Sequence, residues 1–428
     1  MENRYKYNDS PTAHGGAYYG QDEGVYELSN LSQTTTSYSM ASKGQDPYAD
    51  DVPLTKYSGR YVPGGPSSMR HDAPLPPLPP DAAVLENAPP VLERPERKRR
   101  PWVTWGLSLV QVGVFIYMLV RMAQLTGSPI ATRPTFNPMV GPSTYLQINL
   151  GSRYVPCMHY IKGVTDSVDE FPCPNSTSVD DQVCSLSELC GMGGVGTHPH
   201  QWWRFITPMF LHAGFVHIIF NLALQLQSGA RVESDIGHVK YIVIYLASGI
   251  SGFVLGGNFS PDGVSSCGAS GALFGIIAIE VLDILFNWSL YPHPRRFLLF
   301  LLIVIVLSFA IGLLPGLDNF SHIGGFCMGA LLGITLLRSP LALRTDDPIY
   351  ERTATVGERI KATPRLFYAR KVGWYLWLLV RAAALLAAVV YMVVLIRHFN
   401  NGGGHCSWCK YLSCLPIKNW CDAGYISS

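Results

Sequence analysis

One apolar segment combines a histidine with regularly spaced glycines: residues 321–333 read SHIGGFCMGALLG. Gly325, Gly329 and Gly333 follow His322 by 3, 7 and 11 positions, so all four share one face of an α-helix. Small residues at this spacing let two helix backbones approach closely in lipid. The segment therefore predicts a membrane-embedded helix that packs tightly against a second helix.

The composition of the whole chain agrees with a membrane location. Charged residues make up 14% of the 428 residues, well below the roughly 25% of a soluble domain. The 32 Lys and Arg residues against 30 Asp and Glu leave a net charge of +2, so no bulk field attracts nucleic acid. A soluble cytosolic enzyme is excluded, and a polytopic membrane protein is favoured.

Seven apolar segments follow a polar N-terminal region. Most of them approach the ~20 residues that cross a bilayer core. In chain order, segments one to seven are 102–120, 206–226, 241–255, 270–288, 297–314, 320–337 and 374–396. The predicted fold is therefore all-α, a polytopic membrane helix bundle of seven transmembrane helices.

Shifts in composition divide the chain into parts. The predicted parts are a disordered cytoplasmic tail (1–100), the first transmembrane helix (101–126), a long Cys-containing loop (127–203, called loop one below), a core of helices two to six (204–338), a basic linker (339–373), the seventh helix (374–397) and a Cys-rich tail (398–428). The first hundred residues lack a sustained apolar period and cannot offset their chain entropy by burial. Their proline-rich stretch 74–80 predicts polyproline II, either as a stiff spacer or as a ligand for an SH3-type partner.

The basic residues predict the orientation. Five Lys and Arg residues at 94–100 precede segment one, which puts the N-terminus in the cytoplasm. The short outer loops 256–267 and 315–319 contain no Lys or Arg, and seven spans put the C-terminus in the lumen or outside the cell. Because the tail carries many acids, it is not a mitochondrial transit peptide. We predict a secretory-pathway membrane, either Golgi, endoplasmic reticulum or plasma membrane.

Most cysteines lie on the predicted outer side, where disulfides persist. Eight of the ten fall in loop one and the C-terminal tail: Cys157, Cys173, Cys184, Cys190, Cys406, Cys409, Cys414 and Cys421. We expect them to form disulfides, with the connectivity open. The Cys406-x-x-Cys409 pair alternatively indicates a zinc site. Asn175 and Asn258 each begin a glycosylation sequon on this side, the second close to the membrane.

Polar groups inside a membrane are costly, so each one requires an explanation. Ser270 opens segment four and His322 opens segment six. A rise of ~1.5 Å per residue puts both at a depth similar to that of His217 on segment two, with Asn221 one turn deeper. A serine and a histidine at a common depth indicate a nucleophile and its general base.

These features also have a purely structural interpretation. Glycines pack helices in many membrane proteins, and Ser270 can cap its own helix. His198, His200 and His212 are potential metal ligands, but no His-Glu-x-x-His pattern accompanies them. We therefore predict no metal and no cofactor.

Taken together, the motifs resemble those of the rhomboid family of intramembrane serine proteases. The resemblance covers residues 203–337 and includes six motifs. They are Trp203-Arg204, His212-Ala213, His217-x-x-x-Asn221, Glu233 with Gly237, Gly268-Ala269-Ser270-Gly271, and His322 with Gly325 and Gly329. A core of six helices plus a seventh resembles the eukaryotic secretory-pathway type.

The resemblance implies a Ser–His dyad without an acid. Ser270 is then the nucleophile and His322 the general base, while His217, Asn221 and the Ser270 backbone N–H form the oxyanion hole. The implied substrates are single-span membrane proteins, cut in or near the outer part of their transmembrane helix.

Two rival functions differ in what they require. A non-catalytic rhomboid-like protein that binds or escorts transmembrane helices is the first, and loss of Ser270 or His322 would indicate it, but both are present. A small transporter is the second. It predicts paired charges at mid-membrane and internal repeats, neither of which the sequence contains.

Overall fold

A computed structural model of the chain describes residues 99–166, 171–178, 182–313, 318–343, 372–402, 406 and 408–413. The N-terminal tail with its proline-rich stretch, most of the basic linker, and Cys414 and Cys421 lie outside these residues. The predictions made for them are therefore not addressed by the structure.

The described part of the chain is mainly helical. Its α-helices are α1 Trp102–Thr126, α2 Thr144–Asn149, α3 Leu186–Cys190, α4 Phe215–Leu224, α5 Ala230–Ile236, α6 His238–Phe259, α7 Ser270–Phe286, α8 Pro294–Ile311, α9 Asn319–Leu336 and α10 Val372–Asn400. The strands β1 Phe171–Pro172 and β2 Val183–Cys184 form a small antiparallel pair in loop one. The predicted all-α membrane bundle is confirmed.

The structure has fewer helices long enough to cross a membrane, within the described residues, than the seven apolar segments of the sequence. Within the described residues, five helices are long and apolar enough to span a bilayer: α1, α6, α8, α9 and α10. Helix α7 has 17 residues, and segment two is divided. The count of seven spans therefore stays a prediction.

Segment two differs from a single regular helix. Residues 202–210 form two 3₁₀ turns, α4 begins only at Phe215, and a π-helical turn, Gln225–Gly229, joins α4 to α5. Loop one contacts the first turn of α4. The backbone N–H groups of Phe215 and Val216 donate to the carbonyl oxygens of Val140 (3.0 Å) and Met139 (3.3 Å). Loop one thus supplies acceptors for N–H groups that have no intrahelical partner in the first turn of α4.

Helices α6, α7 and α9 form the centre of the bundle. Every residue from Gly271 to Glu280 on α7 is buried, which explains how a short helix persists there, because protein rather than lipid surrounds it. By contrast, Leu301 is the buried residue of α8. Helix α10 contributes Ala388 to the main apolar cluster and Leu395 to a second one.

Glycines set the distance between α9 and the second helix that the sequence predicts, which is α7. A Cβ atom on Gly325 would collide with the carbonyl oxygen of Gly271, and one on Gly329 would collide with the backbone of Gly275. Gly333 faces side chains of α7 instead, with a Cβ there 2.6 Å from a methyl carbon of Leu282. The two backbones are therefore in direct contact near the N-terminal ends of both helices, where Ser270 and His322 lie.

Loop one is a folded cap on one side of the bundle. Disulfides join Cys157 to Cys190 and Cys173 to Cys184. In the C-terminal tail, a third disulfide joins Cys406 to Cys409, and this pairing opposes the zinc alternative. Cys267 and Cys327 are free.

Candidate active site

Ser270 is the first residue of α7. The loop that precedes it is held in place by a backbone hydrogen bond of Gly268. Gly268 has a φ angle of +121°, a conformation that residues with a side chain rarely adopt. Its N–H donates to the carbonyl oxygen of Pro208 at 2.9 Å. A Cβ on Gly268 would lie 2.6 Å from Nε2 of His217. Glycine is therefore required there for both its conformation and its size.

His322, in the first turn of α9, contacts Ser270 directly. Its Nε2 lies 2.9 Å from Ser270 Oγ, within hydrogen-bond distance. Both residues are half-buried rather than sealed off. Among the described residues, Nδ1 of His322 has no hydrogen-bond partner, so no carboxylate completes a triad there. The serine and histidine that the sequence places at a common depth are thus brought together as a pair.

Two aromatic rings hold the imidazole of His322, and neither was predicted from the sequence. Phe274 stacks on it with ring centroids 4.4 Å apart and planes 7° apart. Phe309 on α8 meets it edge to face at 6.1 Å. Phe274 lies four residues after Ser270, so the i, i+4 spacing was the available signal. Packing thus fixes the ring plane of His322 in place of an acidic partner.

His217 on α4 faces the Ser270 loop with its Nε2 edge. Its Nδ1 accepts a hydrogen bond from the Ala213 N–H at 3.3 Å, which assigns the ring proton of the neutral imidazole to Nε2. Asn221, one turn further, is 6% exposed and donates from Nδ2 to the carbonyl oxygen of His217 at 2.9 Å. The Asn221 amide has two hydrogens, so one remains for another acceptor.

The remaining motif residues lie outside the Ser270–His322 pair. His212 is fully buried, with its ring edge to face against His217 at 5.3 Å. Trp203 is half-buried and packs edge to face against His200. Arg204 is also fully buried. Its guanidinium donates to four oxygens, those of Ile148, Ser152 and Cys190 in the backbone and Oε1 of Gln201.

Glu233 acts at the opposite end of the bundle from Ser270. Its carboxylate accepts hydrogen bonds from the backbone N–H groups of Val103 (2.9 Å) and Thr104 (2.7 Å) and from the Thr104 hydroxyl (2.7 Å). It also lies 2.5 Å from Nδ1 of His238. The side chain of Pro101 makes no cap on α1, so Glu233 caps that helix from a distant part of the chain.

Other candidates do not assemble into a site. No group of three or more His, Cys, Asp or Glu side chains able to hold a metal occurs in the described part of the chain. Glu280, a buried acid in the C-terminal half of α7, pairs with Arg231 at 3.3 Å. His198 and His200 are exposed on loop one.

Comparison with known proteins agrees with this geometry. The Rhomboid domain family matches residues 199–339. Rhomboid-type serine protease 2 of Emericella nidulans is 42% identical over 98% of this chain and 93% of its own length. The chain belongs to the rhomboid family. It is therefore an integral membrane protein and a rhomboid-type serine protease.

The match to more distant rhomboids is confined to part of the chain. RHOMBOID-like protein 2 of Arabidopsis thaliana is 37% identical over 52% of this chain and 66% of its own length. Inactive RHOMBOID-like protein 8 of the same plant is 34% identical over 55% of this chain and 67% of its own. Because a relative named inactive is this similar, the assignment of catalytic residues rests on the geometry of the site.

Proposed function

We propose that Ser270 and His322 are the catalytic dyad of this rhomboid. The observation that carries the proposal is the 2.9 Å contact between His322 Nε2 and Ser270 Oγ. A nucleophile and a base within hydrogen-bond reach are the minimal apparatus for covalent catalysis of peptide hydrolysis. The absence of an acid beside His322 Nδ1 among the described residues fits a dyad.

The proposed reaction has two halves. Ser270 Oγ attacks the scissile carbonyl carbon while His322 Nε2 takes its proton. The tetrahedral intermediate then collapses, the C–N bond breaks, and His322 returns the proton to the leaving amine. In the second half, water attacks the acyl-enzyme ester, His322 takes a proton from that water and returns it to Ser270 Oγ, and the new carboxyl product leaves.

His217 and Asn221 are the proposed oxyanion donors, together with the Ser270 backbone N–H. His217 carries its proton on the Nε2 edge that faces Gly268, and Asn221 retains one amide hydrogen. Neutral donors suit this position because a fixed charge inside a membrane is costly. The start of α7 adds unpaired N–H groups and the positive end of its helix dipole.

The proposed substrates are single-span membrane proteins, cut in or near the outer part of their transmembrane helix. Support comes from the position of Ser270 and His322 at the ends of α7 and α9 that lie nearest loop one. The proposed orientation, with the N-terminus in the cytoplasm, puts loop one and its two disulfides in an oxidising secretory compartment. Membrane lipid and, through residues 74–80, an SH3-type protein are the further proposed partners.

The test is a cleavage assay on a single-span model substrate reconstituted with the protease in lipid vesicles. Wild type should cleave the substrate, and Ser270→Ala should not, because the nucleophile is gone. A Ser-directed fluorophosphonate probe should label wild type and fail to label Ser270→Ala. Ser265→Ala is the matched control. Ser265 is buried five residues earlier, and its hydroxyl pairs with Ser152 Oγ at 2.6 Å, whereas His322 pairs with Ser270. Labelling at Ser270 should therefore persist in this variant.

Either of two outcomes would overturn the proposal. Cleavage by Ser270→Ala would remove Ser270 from the mechanism. Labelling of Ser265, Ser266 or Ser321 in place of Ser270 would assign the nucleophile elsewhere. A wild-type protein that binds the model substrate but neither cleaves it nor takes up the probe would instead support the non-catalytic alternative.

A further inference from the structure

Arg153, in loop one, is a fully buried arginine that belongs to no motif identified in the sequence. Its backbone pairs with Ser266 through two reciprocal hydrogen bonds, from Arg153 N to Ser266 O at 2.8 Å and from Ser266 N to Arg153 O at 2.9 Å. Beside it, Ser152 Oγ lies 2.6 Å from Ser265 Oγ. Ser266 is four residues before Ser270. The backbone of Arg153 therefore holds the segment that leads into the nucleophile.

The side chain of the same residue reaches the segment that leads into the histidine. Its Nη2 lies 3.3 Å from Oδ2 of Asp318, and its Nη1 donates to the carbonyl oxygen of Gly256 at the end of α6, at 3.1 Å. Asp318 is four residues before His322. One residue of loop one thus contacts the chain one helical turn ahead of each member of the dyad.

Asp318 connects Arg153 to the first turn of α9. Its carboxylate caps the helix by accepting from the N–H groups of Phe320 (3.0 Å) and Ser321 (3.3 Å) and from the Ser321 hydroxyl (2.7 Å). The hydroxyl of Ser260 also donates to it at 2.7 Å. A displacement of this carboxylate would therefore move the first turn of α9, which carries His322.

The ion pair is shielded from solvent. The side chains of Arg153 and Asp318 are 0% and 2% exposed. Burial lowers the pKa of the Arg153 guanidinium, and the negative charges of Asp318 and Asp262 act in the opposite direction. Because two charges lose much hydration on burial, such a pair adds little stability compared with apolar residues of similar size. What it does provide is a defined separation between two segments of chain.

We propose that Arg153 is a positioning residue for the Ser270–His322 dyad, and that it holds the two active-site segments in register through Ser266 and Asp318. The inference rests on the proposed dyad. Removing the pair should leave both catalytic groups present but misplaced. An error of about 1 Å in such geometry can cost on the order of 100-fold in rate.

The test is a double-mutant cycle on the full-length protein in lipid vesicles. The variants are Arg153→Met, Asp318→Asn and the double variant; asparagine keeps the capping oxygen of residue 318 and removes the charge. Three quantities are measured below the unfolding midpoint: the second-order rate of fluorophosphonate labelling at Ser270, and kcat and KM for the model substrate. Each single variant should lower the labelling rate and kcat by about tenfold or more, with KM little changed. The double variant should be no slower than the slower single variant.

Arg204 supplies the matched control. It is an equally buried arginine of the same loop region, but its guanidinium donates to Gln201 and to backbone oxygens of residues 148, 152 and 190. Arg204→Met should destabilise loop one, and its effect on the labelling rate should add to that of Asp318→Asn. Coupling to Asp318→Asn should therefore be found for Arg153→Met and not for Arg204→Met.

The outcomes separate three cases. Wild-type labelling rates in Arg153→Met with only a lowered unfolding midpoint, or effects that simply add to those of Asp318→Asn, would overturn the positioning role. If Arg153→Met does not fold, Arg153→Lys takes its place, and the same coupling to Asp318→Asn decides. Persistent cleavage by Ser270→Ala would contradict the proposed dyad itself, whatever the behaviour of the Arg153 variants.

Discussion

The backbone of Gly325 on α9 rests directly against the carbonyl oxygen of Gly271 on α7, with no room for a side chain between them. Gly271 follows Ser270, and Gly325 lies one turn after His322. The contact therefore sets how closely the serine and the histidine can approach. Their 2.9 Å separation depends on two residues that have no side chain.

Gly325→Ala should separate the two helices and lower cleavage of a single-span substrate by at least about tenfold, because the Ser270–His322 hydrogen bond is lost. Overpacking of this kind should also cost about 1–3 kcal/mol of folding free energy. Gly106→Ala on α1 is the control, since nothing lies within 4 Å of a Cβ there. Equal activity of Gly325→Ala and Gly106→Ala would mean that the helices adjust without moving the dyad.

The dyad and the oxyanion donors should respond differently to truncation. Ser270→Ala and His322→Ala should each abolish cleavage, and the double variant should be no worse, because nucleophile and base act as one unit. Asn221→Ala removes one donor and should retain residual activity, with a loss of about 10²–10³ in kcat. The measurement is kcat in vesicles together with fluorophosphonate labelling. Labelling should persist in Asn221→Ala, and a complete loss there would show that Asn221 does more than donate to an oxyanion.

Three disulfides involve six cysteines of the described residues. Alkylation before and after reduction should therefore reveal at least six additional thiols, whereas Cys267 and Cys327 are free and gain none. Counting alkyl groups by intact-protein mass spectrometry checks this. Six of these cysteines reacting without reduction would place loop one and the tail in a reducing compartment.

The two glycosylation sequons should behave oppositely. Asn258 is buried, with its amide donating to the carbonyl oxygens of Val254 and Leu395 and its Oδ1 2.7 Å from His398. A glycan there would prevent α10 from docking. Asn175, in loop one, is half-buried. Under the proposed orientation, Asn175→Gln should remove a glycosidase-sensitive mass shift on gels and Asn258→Gln should not. A shift lost with Asn258→Gln would contradict the packing of α10.

Glu233→Ala should destabilise the bundle, because it leaves two backbone N–H groups at the start of α1 and the Thr104 hydroxyl without an acceptor. An unpaired buried polar group costs about 1–3 kcal/mol. The expected result is a clear drop in the thermal midpoint in detergent. Val239→Ala, an exposed neighbour on α6, should leave the midpoint close to wild type, and similar midpoints for the two variants would contradict the capping role.

Several features of the site could be predicted from the sequence because the residues involved are spaced at the period of an α-helix. The glycine face of residues 322–333 predicted a close contact with a second helix, and the structure identifies that helix as α7. Helical rise predicted that Ser270 and His322 lie at one depth. Both arguments use only the geometry of a straight helix in a membrane, which tertiary contacts alter little.

The start of segment two was less predictable. The sequence is apolar from Ile206 onward, yet α4 begins at Phe215. Carbonyl groups of Val140 and Met139 in loop one supply the acceptors that make this possible. These acceptors lie more than seventy residues earlier in the chain, so no pattern among neighbouring residues predicts them.

By itself, the sequence determined that this chain enters a membrane and where most of its helices lie, because burial in lipid imposes composition and period on the chain itself. Only the tertiary structure decided the disulfide pairing. It also decided the packing of the His322 ring against Phe274 and Phe309, and the ion pair of Arg153 with Asp318. These contacts join residues that are apart in the chain, and several of the residues lie in irregular loops. Side chains meet there only once packing has fixed their positions, and no periodic pattern extends across such distances.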